Sequence, residues 1–129
     1  MVTNRGGRGF ALAIQALILL AEAPRGMATS RELAEVIDAH PVVLRRLLGG
    51  LRSHGFVEAR TGPKGGWAVA RDPARITLAG IYRALSAQAE VLSPAALDDT
   101  LVRAEEAYVA VLEEVTVSSL MGRSARPHL

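Results

Sequence analysis

The 129 residues contain no cysteine. That excludes disulfides, redox thiols, thiolate-held zinc and a cysteine-ligated iron–sulfur cluster, and it agrees with a cytoplasmic location. Aromatic residues are scarce at 4%, against 50% hydrophobic residues overall. The core is therefore expected to be Ala, Leu and Val, a composition that favours helices. No apolar run reaches the ~18–20 residues of a membrane span. Phe10–Ala21, with Arg5 and Arg8 before it and Ala21-Glu22-Ala23 at its end, has the grammar of a signal peptide. Gln15 interrupts the run, however, and Phe10, Ala13, Ile14, Leu17, Ile18 and Ala21 keep the 3/4 spacing of a buried first helix. The histidines at 40, 54 and 128 are scattered and suggest no metal site. There is no nucleophile–base pair in a supporting context and no phosphate loop opening a helix, so an enzyme is not expected, and no cofactor is implied.

What is present is unevenly placed. The net charge is only +2, but residues 1–75 hold 11 basic and 6 acidic side chains, while residues 76–129 hold 4 basic and 7 acidic. A polyanion would meet the first part. At this length one core is expected.

After the first helix, Pro24-Arg25-Gly26 breaks the chain. Thr29-Ser30-Arg31-Glu32 is a capping box that opens a second helix through Ile37. Asp38-Ala39-His40 is a turn, and Pro41 suits the first turn of a third helix, where its missing N–H costs nothing. Leu44, Leu47, Leu48 and Leu51 share one face of that helix, and Val42, Arg45, Arg46, Gly49 and Arg52 the other. Gly55 is placed to end it. Two helices joined by a tight turn, the second amphipathic and basic, is helix-turn-helix order. The mid-helix pair Gly49-Gly50 suggests close approach of another helix or of a bound backbone.

A strand is expected over Phe56–Arg60 and another over Trp67–Ala70, with Thr61-Gly62-Pro63-Lys64-Gly65-Gly66 as the turn between them. A helix for one groove and a basic hairpin for its neighbour is what duplex DNA binding needs. Thr77 is expected to cap a fourth helix ending near Ser86, and Pro94 to open a long helix to about Val115. On it Leu97, Leu101, Ala104, Tyr108, Val111 and Val115 recur with 4-3 spacing, a heptad-like seam that favours dimerisation over folding back on the first helix. The expected fold is mainly α with a small β-wing: a winged helix-turn-helix over 1–86, a linker over 87–93, a dimerisation helix region over 94–120 and a frayed tail over 121–129.

Arg45 and Arg46 are the candidates for base reading, since a guanidinium bonds guanine O6 and N7 bidentately. Val42 and Val43 flank the helix start, and one of them is expected to touch a thymine methyl, with core packing an equal alternative for Val43. Thr29, Ser30 and Arg31 are expected to make positioning contacts to the backbone, with His40 at a helix N-terminus that suits phosphate and Arg52 late in the helix. Arg60, Thr61 and Lys64 are the wing candidates. Trp67, the only tryptophan, is expected to bury under the wing.

These residues resemble the Rrf2 family of bacterial winged-helix regulators, a group that includes iron–sulfur and nitric-oxide sensors. The likeness runs from Phe10 through Ser30–Ile37, Pro41–Val57, Thr61–Trp67 and Ile76–Leu85 to Val115–Leu120, and Gly62-Pro63-Lys64-Gly65-Gly66-Trp67 is its most specific piece. The resemblance implies a homodimer with crossed long helices, double-stranded DNA as partner and a palindromic operator. Two departures matter. The sensors hold their cluster with cysteines between the fourth helix and the long helix, where this chain has Ala87–Ser93 without a thiol, so the scaffold carries over and the cluster does not. Many members place arginine just before the wing's Gly-Pro, where this chain has Thr61. Arg60 lies on the opposite face of the strand, so either it re-aims or Lys64 takes over at the tip. The reading is a dimeric DNA-binding regulator, a repressor by expectation, answering to an unidentified small molecule, to a partner protein or to concentration alone. The competing reading is a winged-helix module that docks proteins and has lost DNA binding.

Overall fold

The computed structural model describes residues 8–89 and 99–122, apart from the side chains at 87–89, 99, 101 and 102. The order is α1 (Arg8–Glu22), α2 (Ser30–Val36), α3 (Pro41–Ser53), β1 (Val57–Arg60), β2 (Gly66–Val69), a 3-10 turn (Pro73–Arg75), α4 (Leu78–Ala89), α5 (Asp99–Leu112) and α6 (Val117–Leu120). The expected architecture, mainly helical with a small antiparallel wing, is the one observed.

Helix α1 is the central element and packs on α3, α4, β2 and α6. Leu12, Ala13, Ala16, Leu17, Ile18 and Leu20 are buried on it, so the stripe is broader than the one read from spacing, and Phe10, Ile14 and Ala21 lie at its half-buried margin. A helix contacted on several sides needs more than one apolar row. Leu44, Leu48 and Leu51 of α3 are fully buried against it, with Leu47 packed at the edge. Each such leucine stabilises the fold by ~1.5–3 kcal/mol.

The termini of α2 and α3 follow the expected chemistry. The Thr29 hydroxyl accepts from the Glu32 amide at 3.0 Å, and the Thr29 amide donates to the Glu32 carboxylate at 2.8 Å. At the end of α3, Gly55 takes φ +78°. Its amide bonds the Arg52 carbonyl and the Phe56 amide bonds the Leu51 carbonyl, the paired bonds of a Schellman motif. Phe56 and Leu51 are both buried beneath it.

β1 and β2 pair antiparallel, Val57 with Val69 and Arg60 with Gly66. Ala28 adds a bridge on the far side of β2, exchanging hydrogen bonds with Trp67 at 2.8 and 3.0 Å. Gly66 has to be glycine here, because its φ is +148° and a Cβ would stand 2.8 Å from the Ala28 carbonyl oxygen. Trp67 is partly buried against the core. The Thr77 hydroxyl caps α4 by accepting from the Gly80 amide at 3.0 Å.

Several boundaries differ from expectation. Helix α4 continues to Ala89, so residues 87–89 are its last turn rather than linker; residues 90–93 lie outside the described residues, as does Pro94. Helix α5 stops at Leu112, because Val115 enters a bridge in which its carbonyl accepts from the Leu78 amide at 2.9 Å. Thr116 and Ser119 form a second capping box that starts α6. The tail begins anchored: Met121 packs on the core and the Gly122 amide donates to the Glu22 carboxylate at 2.6 Å.

Candidate nucleic-acid interface

The leucine face of α3 fixes the helix against α1, so its opposite face is held outward. Val42, Val43, Arg45, Arg46 and Arg52 are exposed there. Arg31, at the start of α2, is exposed as well. Among the described residues, Arg31, Arg45, Arg46, Arg52 and Lys64 form no ion pair, whereas Arg25, Arg60 and Arg83 each hold a carboxylate.

The helix N-terminus is organised by the chain itself. His40 is the N-cap, its Nδ1 accepting from the Val42 amide at 3.1 Å, with Pro41 next. The preceding turn needs Asp38 at φ +38°. Arg8 reaches across from α1 and donates to the Asp38 carbonyl at 3.3 Å, so the turn is strapped to the central helix. Thr29 is half-buried with its hydroxyl engaged in capping, and Ser30 is buried at 9% exposure. Of the three residues expected to reach outward at α2, Arg31 is the one in the open. The Glu32 carboxyl is held below the usual carboxylate range, chiefly by the hydrogen bond from the Thr29 amide, with the Arg25 guanidinium and the Thr29 hydroxyl adding to it against a desolvation effect.

In the wing, the Gly65 amide bonds the Gly62 carbonyl at 3.0 Å, closing a turn with Pro63 and Lys64 at its centre. Lys64, the chain's only lysine, is exposed at the tip. A Cβ on Gly65 would overlap the Arg60 carbonyl, so the tight turn requires glycine. Arg60 is exposed but donates to Glu58 at 2.8 Å along the same strand, and Thr61 is exposed with no hydrogen bond among the described residues. Close approach of another helix does not account for Gly49, since a Cβ there meets nothing of the chain within 4 Å; Gly50 is buried.

One basic residue that spacing did not single out is Arg71. It lies just past β2, with its guanidinium 4.5 Å over the Phe56 ring and Nη2 donating to the His54 carbonyl at 3.2 Å. Arg-Asp-Pro reads as a loop exit in sequence, and no local pattern links it to residues 17 positions earlier.

The residues placed on the long-helix seam separate. Tyr108 turns inward, its ring edge-on to Tyr82 at 5.1 Å, and Tyr82 meets Phe10 edge-on at 5.7 Å. Val115 is past the helix end and half-buried, next to the bridge between Thr116 and Thr77 at the start of α4. Ala104 is exposed and Val111 is 62% exposed, whereas Leu97 and the Leu101 side chain lie outside the described residues. Where the seam departs from expectation, the cause is that α5 uses part of that face to pack on α4. Between α4 and α5 an open groove of about 670 Å³ is lined by Tyr82, Arg83, Glu105, Glu106, Val109 and Glu113. None of the helices among the described residues is long and apolar enough to cross a membrane.

Comparison with known proteins agrees with this geometry. Residues 7–123 match the Rrf2 family, described as an iron-dependent transcriptional regulator. YwnA of Bacillus subtilis (strain 168), described as an HTH-type transcriptional regulator, is 32% identical over 65 residues, 50% of this chain and 48% of that protein, so the chain spans about half the length of the curated relative it matches. Among solved structures, CymR of B. subtilis, titled the global cysteine regulator, superposes with TM-score 0.72 at 24% identity over 91% of this chain and 95% of that one. IscR of T. potens superposes with TM-score 0.72 at 23% identity over 88% and 83%. Both likenesses concern the fold. The iron named in the family description does not fit the donors present: the chain has no thiolate, and among the described residues no three His, Asp or Glu side chains converge on a metal position. The family match covers all the described residues and the fold agrees with it, and on these grounds the chain belongs to the Rrf2 family of transcriptional regulators.

Proposed function

We propose that the chain is a sequence-specific, double-stranded-DNA-binding regulator that acts as a homodimer, represses transcription and works without an iron–sulfur cluster. The observation that carries this reading is the row of exposed, unpaired guanidinium groups on α3, backed by a lysine at the wing tip. In this reading α3 enters a major groove. Arg45 and Arg46 read guanine edges and Val42 meets a thymine methyl. Arg31 and Arg52 contact phosphate, and the capped helix start at His40 and Thr29, with Ser30 supporting it from within, sets the register. Lys64 takes the adjacent minor groove; Arg60, tied to Glu58, is less free to do so, and Thr61 flanks the tip.

The dimer forms through the outward face of α5, where Ala104 and Val111 are exposed, with Leu97 and Leu101 continuing the seam toward its start. Tyr108 and Val115 support α5 from within the protomer. Two copies related by a two-fold axis call for a palindromic operator. A small-molecule effector is compatible with the scaffold and unidentified.

The test is fluorescence anisotropy on the duplex upstream of the protein's own gene, at two salt concentrations, with a scrambled duplex as control. Tight, salt-sensitive binding that prefers the genuine sequence is expected. Equal weak binding to both duplexes would count against the reading. The exposed valines Val36, Val42 and Val43 around the helix-turn-helix favour a second reading, a protein-docking surface. Under that reading replacing Arg45 and Arg46 by alanine leaves DNA behaviour unchanged.

A further inference from the structure

The junction between α3 and the wing is three residues long: His54, Gly55 and Phe56. The base of the hairpin is held by buried Phe56 and Val57 and by the Ala28–Trp67 bridge, which leaves the angle at this short junction to be set by what packs over it. Arg71 enters this junction from the other end of the hairpin. Its guanidinium plane covers the Phe56 ring at 4.5 Å while its edge donates to the His54 carbonyl at 3.2 Å. Gly55 lies directly beneath, where a Cβ would stand 3.2 Å from Arg71 Nη2. Phe56 itself is buried, and the Ala70 amide donates to its carbonyl at 2.9 Å. The helix exit, the start of β1 and the exit of β2 thus meet under one side chain.

We propose that Arg71 is a positioning residue that fixes the angle between α3 and the wing, so that helix and wing tip engage neighbouring grooves together. The functional half of this inference rests on the DNA-binding reading above; the structural half does not. Arginine suits the task because a planar guanidinium stacks with its face and donates from its edge at the same time, whereas a lysine ammonium is a single point that cannot serve both contacts. Arg71 is exposed like Arg45 and Arg46, but differs from them in that its guanidinium is already engaged within the chain, by the Phe56 ring and the His54 carbonyl. It therefore acts through the geometry of other residues rather than by adding a contact to phosphate.

The absence of native cysteine makes the structural arm direct. Spin labels on Arg52→Cys and Lys64→Cys report the helix-to-tip distance in the full chain, with labelled protein diluted into an excess of unlabelled chain so that distances within one copy dominate. A narrow distribution is expected with Arg71 present, and a broadened or displaced one in both Arg71→Ala and Arg71→Lys. An unchanged distribution in Arg71→Ala overturns the proposal. If the alanine variant does not fold, Arg71→Lys decides the same point.

The binding arm uses unlabelled chain. Both variants are expected to lose affinity for the operator by about tenfold, the combined scale of an exposed cation–π contact and one ordinary solvent-exposed hydrogen bond. The slope of log Kd against log salt should stay unchanged. A slope smaller by about 0.9 in Arg71→Ala, with affinity restored by Arg71→Lys, would make Arg71 a phosphate ligand and overturn the positioning role. Should the parent chain bind no duplex, the DNA-binding reading falls, while the spin-label result still decides whether Arg71 is the brace.

Discussion

Helix α3 and helix α5 are both amphipathic, yet they leave opposite surfaces uncovered. On α3 the apolar row is used up inside the protomer and the cations outside are unpaired. Between α5 and its neighbour α4, polar groups pair across the two helices: Arg83 holds Glu113 at 2.6 Å, and the Tyr82 hydroxyl donates to Glu105 at 3.0 Å. Among the residues α5 leaves outward is an apolar row, Ala104, Ala107 and Val111, flanked by exposed Arg103 and Glu106. Surface ion pairs contribute only ~0–1 kcal/mol, so folding alone demands neither arrangement. The difference lies in what each surface can accept. An unpaired guanidinium row suits a polyanion, and an apolar row rimmed by charges suits a matching surface.

The first way to break this comparison is to remove the cations. Replacing Arg45 and Arg46 together by alanine is expected to cut operator affinity on the order of a hundredfold or more, given ~1–3 kcal/mol for each bidentate base contact. Thermal stability should be almost unchanged, because both side chains are exposed and unpaired. Anisotropy titration beside a melting curve separates the two effects. The converse variant, Leu48→Ala, acts on the buried face of the same helix. It should destabilise the fold by ~2–5 kcal/mol through lost burial and a cavity, read by denaturant unfolding. Equal effects of the two variants on stability would mean that the two faces of α3 are not separate.

Val111 sharpens the α5 side. A carboxylate at this position should disfavour assembly, because covering it leaves an unpaired charge out of water. Val111→Glu is expected to raise the dimer dissociation constant by tenfold or more, about 1.4 kcal/mol, in sedimentation equilibrium. The monomer's helical content should stay the same, since Val111 is 62% exposed within its own chain. A parent chain that sediments as a monomer at every concentration would remove the assembly role from this face.

The two faces also differ in how far the sequence disclosed them. The helix-turn-helix was legible because its signals are local: a capping box at Thr29 and Glu32, proline at the start of α3, a leucine row at 44, 48 and 51, and glycine at 55. Each fixes a boundary or a face within a few residues. The α5 seam was only half legible. A 4-3 repeat identifies an apolar face but not which neighbour covers it, and Tyr108 and Val115 went to α4 instead of outward. Arg71 and the Arg8 strap on Asp38 were not legible in the chain, because they join residues 17 and 30 positions apart through tertiary geometry. Ser30 was misread for a related reason: a hydroxyl beside a helix cap does not say whether it faces water, and here it is buried.

The smallest expected effect concerns the start of α2, where the comparison between the faces meets the pH dependence of folding. Glu32 has its carboxyl held below the ordinary range, first by the Thr29 amide and then by Arg25 and the Thr29 hydroxyl. A depressed folded-state pKa means that the ionised form is favoured by folding. The stabilisation is therefore fully present above the unfolded carboxylate value of about 4.3 and is lost as pH falls through the lower folded value. Glu32→Gln is the informative variant, because glutamine at this position still accepts from the Thr29 amide and preserves the capping box. The parent should be slightly more stable than Glu32→Gln at neutral pH, with the two melting curves converging once the medium is acid enough to protonate the folded carboxyl. Added salt should narrow the gap by screening Arg25, whose guanidinium is 3.4 Å from the carboxylate and largely exposed. A gap that persists unchanged into strong acid would show that the carboxylate's charge is not what Glu32 contributes, and that α2 is held at its first turn by the hydrogen bonds alone.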